Sequence, residues 1–276
     1  MPDLIDLRFS QNNLQDFADC PRRFYLKYVL RLAWPALQTE PVIEQEHRID
    51  LGHRFHQLAE QFFSGVPAEA LSETAEADPE LSGWWKNFLT AKPLSFPGKR
   101  HSEFMLSGNF HGAKLLAKYD LLVVNTEKEI WIMDWKTSTS QPRRSRLQDR
   151  MQTRLYPFLL VESGKVIHQG IDIRPEQVQM MYWYPDFPEQ AVVFQYTEEQ
   201  HQANALLLKN LILEIQGMQP DDFQKTIDTR RCRFCHYRSL CERGDKAGNL
   251  LEYDSEDEKD EFELSLDLEQ IGEIEF

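Results

Sequence analysis

Two aspartates stand inside short apolar runs of this 276-residue chain and limit the ways it can fold. Asp120 leads into Leu-Leu-Val-Val, and Asp134 closes Ile-Trp-Ile-Met just before Trp135 and Lys136. A carboxylate in such a run is costly to bury without a counter-charge. Residues 101–107, 113–124 and 129–136 are rich in Phe, Leu, Val, Ile and Trp, with Ser-Gly-Asn and Asn-Thr-Glu turn chemistry between them, which predicts an antiparallel meander. If the last two runs pair through the 125–129 turn, both carboxylates come to one sheet end. They repel there, and a hard cation such as Mg²⁺ bound through oxygen is the cheapest remedy. Lys136 lies two residues beyond Asp134, so on a strand both side chains face the same way. Asp-x-Lys alone fits a surface ion pair equally well. With a metal beside it, the same trio suits phosphodiester cleavage, the ammonium orienting water or neutralising developing negative charge.

The remaining pattern is mostly helical. Residues 10–31 read as a helix entered through Ser10, with Pro21 kinking it or starting a new segment. A second helix is expected over 47–64, where Ile49, Phe55, Leu58, Ala59, Phe62 and Phe63 recur at helical spacing. Residues 68–92 read as surface-lying helices and turns anchored by Trp84, Trp85, Phe88 and Leu89. One long helix over 143–163, strands near 176–184 and 190–196, and a helix over 198–217 capped by Thr197 complete the order. This sequence of elements predicts a mixed α/β sheet with helices packed on it.

Formal charge is −14, yet residues 252–276 carry twelve acids against Lys259 alone, so the body holds 33 acids and 30 bases. The distribution decides more than the net value. Residues 1–251 are expected to form one domain, with 252–276 a disordered or partner-dependent acidic tail. The longest apolar runs are about four residues, far short of a membrane-spanning helix. The start lacks the basic-then-apolar pattern of a secretory signal, so a cytoplasmic location is expected.

Cys232, Cys235 and Cys241 form a compact trio, and the fourth cysteine, Cys20, lies 212 positions earlier. Together they fit a tetra-thiolate site, which zinc and [4Fe–4S] clusters both accept. Joining positions 20 and 232 would remove roughly 5 kcal/mol of loop-closure freedom, so such a site would act as a structural clasp.

Asp120, then Asp134-Trp-Lys136 fourteen residues on, resembles the core of the PD-(D/E)XK nucleases, particularly the RecB-like branch. Gly52-His-Arg-Phe-His56 resembles that branch's Gly-x-x-x-His helix, and Gln152-Thr-Arg-Leu-Tyr156 its Gln-x-x-x-Tyr. The family usually has glycine three residues before the first aspartate, where this chain has Ala117. Cys20 before the core and Cys-x-x-Cys-x5-Cys after it resemble the layout of the branch's iron–sulfur members, as does Phe17-Ala-Asp-Cys20-Pro-Arg-Arg-Phe-Tyr25.

The resemblance implies a restriction-endonuclease-like α/β fold and metal-dependent hydrolysis of DNA, with exonuclease action on single strands or ends. It implies Mg²⁺ or Mn²⁺ on His56, Asp120, Asp134 and the Trp135 carbonyl, with Lys136 catalytic and Gln152 and Tyr156 at the sheet end. It also implies a [4Fe–4S] cluster on Cys20, Cys232, Cys235 and Cys241, zinc being the alternative. Glu103 and Glu60 are candidate supporting or second-cation carboxylates. Arg143, Arg144, Arg146 and Arg150, with Arg22, Arg23, Arg231 and Arg233 around the thiols, are candidate phosphate contacts. The implied setting is DNA repair, recombination or CRISPR adaptation, with a helicase or CRISPR-integrase partner. The competing expectation is a non-catalytic iron–sulfur DNA-binding subunit of a larger complex.

Overall fold

The computed structural model describes residues 7–32, 42–91, 95–125, 128–138, 143–233 and 235–244. The acidic tail 252–276 and the expected domain boundary at 251 lie outside the described residues. Six strands make one mixed sheet: β1 (Arg8–Phe9), β2 (Lys99–Phe110), β3 (Ala113–Val124), β4 (Ile130–Trp135), β5 (Val178–Trp183) and β6 (Val192–Gln195). The order is β1-β3-β4-β5-β6, with β2 also paired to β3. β1 with β3 and β4 with β5 are parallel; the other pairings are antiparallel. Helices flank this sheet on both faces, as in a restriction-endonuclease-like fold.

Strand β3 organises the site. β2 runs along its full length, from Lys99 opposite Val124 to Phe110 opposite Ala113. The other partners divide it: β1 pairs at Lys114 and Leu115, and β4 at Leu121 to Val124. Asp120 falls at the junction where β4 takes over, and the register carries it opposite Asp134. The faces exchange there too. Leu115, Ala117 and Tyr119 pack into one core, whereas Leu121 and Val123 pack into the other.

The first core lies under α1 (Gln11–Asp19), α2 (Pro21–Phe24), α7 (Met151–Ser163) and α8 (Glu198–Gly217). The second lies under α3 (Val42–Phe63), α4 (Ala68–Ala75) and α5 (Pro79–Leu89). The 68–92 segment is therefore no surface-lying appendage. Trp84, Trp85 and Phe88 are buried in that core: Trp84 meets Phe55 edge-on, Trp85 stacks on Phe88, and Phe88 meets Phe55, Trp135 and Trp183 edge-on. Asp78 caps α5, accepting hydrogen bonds from the Glu80 and Leu81 N–H groups at 2.8 and 3.1 Å.

Two other expectations are corrected. The β2–β3 turn is His111-Gly112, with φ of +47° and +78°, and not Ser107-Gly108-Asn109. Two left-handed residues suit the twist of a two-residue hairpin. Gly108 instead stays in β2, because a Cβ there would overlap Ser163 Oγ and lie 3.0 Å from Leu159 Cδ1, so its absence lets α7 pack close. The long helix over 143–163 is two, α6 (Arg144–Asp149) and α7, separated by an extended Arg150. The break is tertiary: the Met151 N–H at the start of α7 donates to Gln15 Oε1 of α1 at 3.0 Å. At Pro21 the chain does begin a new segment, α2, which continues as a π-helix over Tyr25–Val29.

Candidate active site

The side chains of one site come from α3, β2, β3, β4 and α7. His56 Nδ1 on α3 lies 3.6 Å from Asp120 Oδ1, and Asp120 Oδ2 accepts the Trp135 N–H at 2.8 Å. Across the junction, Asp134 Oδ2 meets the Lys136 ammonium at 2.9 Å. Gln152 Nε2 on α7 donates to Asp134 Oδ1 at 2.6 Å. Asp120, Asp134, Lys136 and Gln152 are all buried, while His56 is half-buried at the mouth.

Burial pushes the Asp120 carboxyl up, but His56, the Trp135 N–H and Lys136 outweigh it, leaving its pKa below the usual carboxylate value. Glu103 is displaced the other way: burial and the Asp120 charge raise it, against the pull of Lys118 and His56. Ligand atoms of His56, Glu103 and Asp120 lie within 4.8 Å of one another, close enough to share a cation. An imidazole and two carboxylates form a hard, mainly oxygen donor set, suited to Mg²⁺ or Mn²⁺.

The other expected site residues are placed differently. Tyr156 is fully buried one turn after Gln152; its ring lies 4.9 Å from that of Tyr119, whose hydroxyl donates to the Tyr156 carbonyl at 2.9 Å. Glu60 is exposed and stands outside the group of His56, Glu103 and Asp120. Two residues with no sequence signal join the site from below. The Tyr182 ring lies 5.9 Å beneath the Lys136 ammonium, and its hydroxyl is 2.7 Å from Thr153 Oγ1. Arg48 reaches from α3 to the Thr137 carbonyl at 3.1 Å, next to Lys136, and pairs with Glu80 and Asp186.

All four thiols line one pocket, together with Arg23, Lys225, Arg231, Tyr237, Arg238 and Arg243, and no disulfide joins them. Burial raises the thiols of Cys232 and Cys241 and pushes Cys235 up to about 11. The two segments that supply them are bound directly. Arg22 N–H donates to the Gln224 carbonyl at 3.1 Å, Tyr25 stacks on Phe223 at 4.8 Å, and Arg231 pairs with Asp19. Arg23 is turned inward between Asp16 and Asp19, 2.8 Å from each, which leaves its guanidinium facing protein carboxylates. Arg143 and Arg144 are exposed, and Arg146, Arg150, Arg22 and Arg233 partly so. Arg144 lies over the Phe194 ring at 4.3 Å. No described helix is long and apolar enough to cross a membrane.

The family model described as the PD-(D/E)XK nuclease superfamily matches residues 8–242. Among solved structures, the protein SSO0001 is similar at 14% identity and a TM-score of 0.42, over 85% of each chain. A protein from Eubacterium rectale, provisionally named an exonuclease, is similar at 12% identity and a TM-score of 0.45, over 75% of this chain and 80% of that one. No curated protein matches the sequence.

Proposed function

The chain belongs to the PD-(D/E)XK nuclease superfamily, and from that premise we propose that it is a RecB-like DNA exonuclease with an iron–sulfur clasp. It is a phosphodiester hydrolase of a family that uses divalent metals. The observation that carries the reading is the convergence of His56, Asp120, Asp134, Lys136 and Gln152 from four elements on one sheet junction. His56, Asp120, Asp134 and the Trp135 carbonyl would hold the cation. When bound, Mg²⁺ or Mn²⁺ supplies Lewis acidity and a water of lowered pKa.

The chain's own groups do the rest. Gln152 holds one oxygen of Asp134, so the carboxylate keeps a single orientation. Lys136, over the Tyr182 ring, keeps a fixed positive charge beside Asp134. It stabilises negative charge that develops on the phosphoryl oxygens and orients the attacking water. Arg143, Arg144, Arg146 and Arg150 precede Gln152 on the chain and are suited to phosphates of the incoming strand. Arg22 and Arg233 extend the basic surface to the thiol pocket.

Four thiols in one pocket, ringed by guanidinium and ammonium groups, suit an anionic tetra-thiolate centre. We assign it to a [4Fe–4S] cluster that clasps residues 230–243 to the N-terminal helices and acts structurally. A role on DNA ends, in repair, recombination or CRISPR adaptation, is consistent with such a module, with unwinding supplied by a partner. The test is digestion of end-labelled linear and circular single-stranded DNA with Mn²⁺, using anaerobically purified protein. Stepwise loss of the labelled end, with circles intact, is the expected result. Cutting of circles at a similar rate would overturn the exonuclease assignment.

A further inference from the structure

On β2, between the pairs Ser102 with Leu121 and Phe104 with Tyr119, Glu103 stands opposite Asp120. Its backbone is left-handed, with φ of +49°, in the middle of a twelve-residue strand. A non-glycine residue held this way is strained and persists only where its surroundings enforce it. The result is a pair of carboxylates facing each other across two strands, an arrangement that destabilises a sheet unless positive charge intervenes. Lys118, two residues before Asp120 on β3, supplies that charge through an ion pair with Glu103. The Glu103 side chain is 15% exposed and that of Lys118 34%, so the acid is fixed inside while the lysine has a route to solvent.

Resting on the divalent-metal reading above, we propose that Glu103 belongs to the cation site and that Lys118 is a resident counter-charge the cation displaces. Three observations converge on it. Ligand atoms of Glu103, His56 and Asp120 lie within 4.8 Å of one another. Asp134, the acid named by motif, is engaged on both oxygens, by Gln152 at 2.6 Å and Lys136 at 2.9 Å, and stands outside that group. Glu103 therefore adds a carboxylate on the His56 side of the junction to the set of His56, Asp120 and Asp134, and its partner is a lysine on a flexible stem, a point charge that moves without remodelling the strands. Lys118 and a divalent cation then compete for one acid: the lysine balances its charge when no cation is bound, and its departure sets part of the cation's affinity.

The experiment is Mn²⁺ binding to the full chain by calorimetry and by electron paramagnetic resonance of the bound ion, with folding of each variant checked by circular dichroism. Glu103→Gln should weaken Mn²⁺ binding about tenfold. Lys118→Met should tighten it severalfold, and that gain should vanish when both substitutions are combined. Unchanged affinity in Glu103→Gln, with binding lost in Asp120→Asn, would overturn the proposal while leaving the nuclease site standing. A Lys118→Met gain that persists in the double variant would also overturn it, since the lysine would then act by general charge alone. Failure of the unsubstituted protein to take up Mn²⁺ would overturn the metal site and this proposal together.

Discussion

Gln152 on α7 donates to Asp134 Oδ1 at 2.6 Å, so a helix from one core fixes the acid one residue before the end of a central strand. Gly108 and the Gln15 cap on Met151 both serve this contact by setting where α7 lies. Gln152→Ala should lower single-turnover cleavage by about ten- to a hundredfold, with little change in DNA affinity. Single-turnover rates at saturating enzyme separate the two effects.

The thiol pocket gives a metal test with a clear sign. Burial holds Cys232, Cys235 and Cys241 above the usual thiol range, so these three are protonated at neutral pH when no metal is bound. A cluster needs thiolates, so its assembly releases protons and becomes more favourable as pH rises. Anaerobic protein should carry about four iron and four sulfide per chain. Cys235→Ser should lose them and lower the melting temperature, as measured by iron and sulfide analysis with calorimetry.

Close packing of α7 on β2 rests on the missing side chain of Gly108. Gly108→Val should destabilise the fold by about 1–3 kcal/mol through overpacking against Ser163 and Leu159. Urea unfolding at constant m-value measures this directly.

Asp16 gives a stability prediction with pH. Burial raises its carboxyl, but Arg23, Lys27 and the Tyr28 hydroxyl outweigh that and hold it below the usual carboxylate value. A depressed folded pKa contributes stability above the unfolded value, and this is lost as pH falls through the folded one. Asp16→Asn should therefore be strongly destabilising near neutrality, since it leaves Arg23 with a weakened partner set. The gap between the two melting temperatures should begin to narrow below about pH 5 and go on narrowing as pH falls through the depressed folded value.

Much of this architecture was legible in the residues. Apolar runs bounded by turn residues located β3 and β4, and the fixed period of a strand put Asp134 and Lys136 on one side. The Gln15 cap that divides α6 from α7 joins residues 136 positions apart, so no local pattern announced it. The two-residue β1 is too short for periodicity to register. Glu103 and Glu60 stood alike in the sequence as candidate supporting acids, and only the register of β2 on β3 and the left-handed backbone of Glu103, both tertiary properties, set Glu103 beside Asp120. Arg23, expected on DNA, faces Asp16 and Asp19 because the α1–α2 turn folds those acids toward it. Trp84 and Trp85 drew attention as anchors, yet their depth followed only from how α3 and α5 pack on the sheet.

The most direct measurement is cleavage of end-labelled single-stranded DNA with Mn²⁺ by Asp134→Asn and Lys136→Met, alongside DNA binding and thermal melting of each. The account predicts a rate loss of about a thousandfold in both, with folding and DNA affinity close to those of the unsubstituted protein. Wild-type turnover in both variants would contradict it, because the hydrolysis would then arise elsewhere on the molecule.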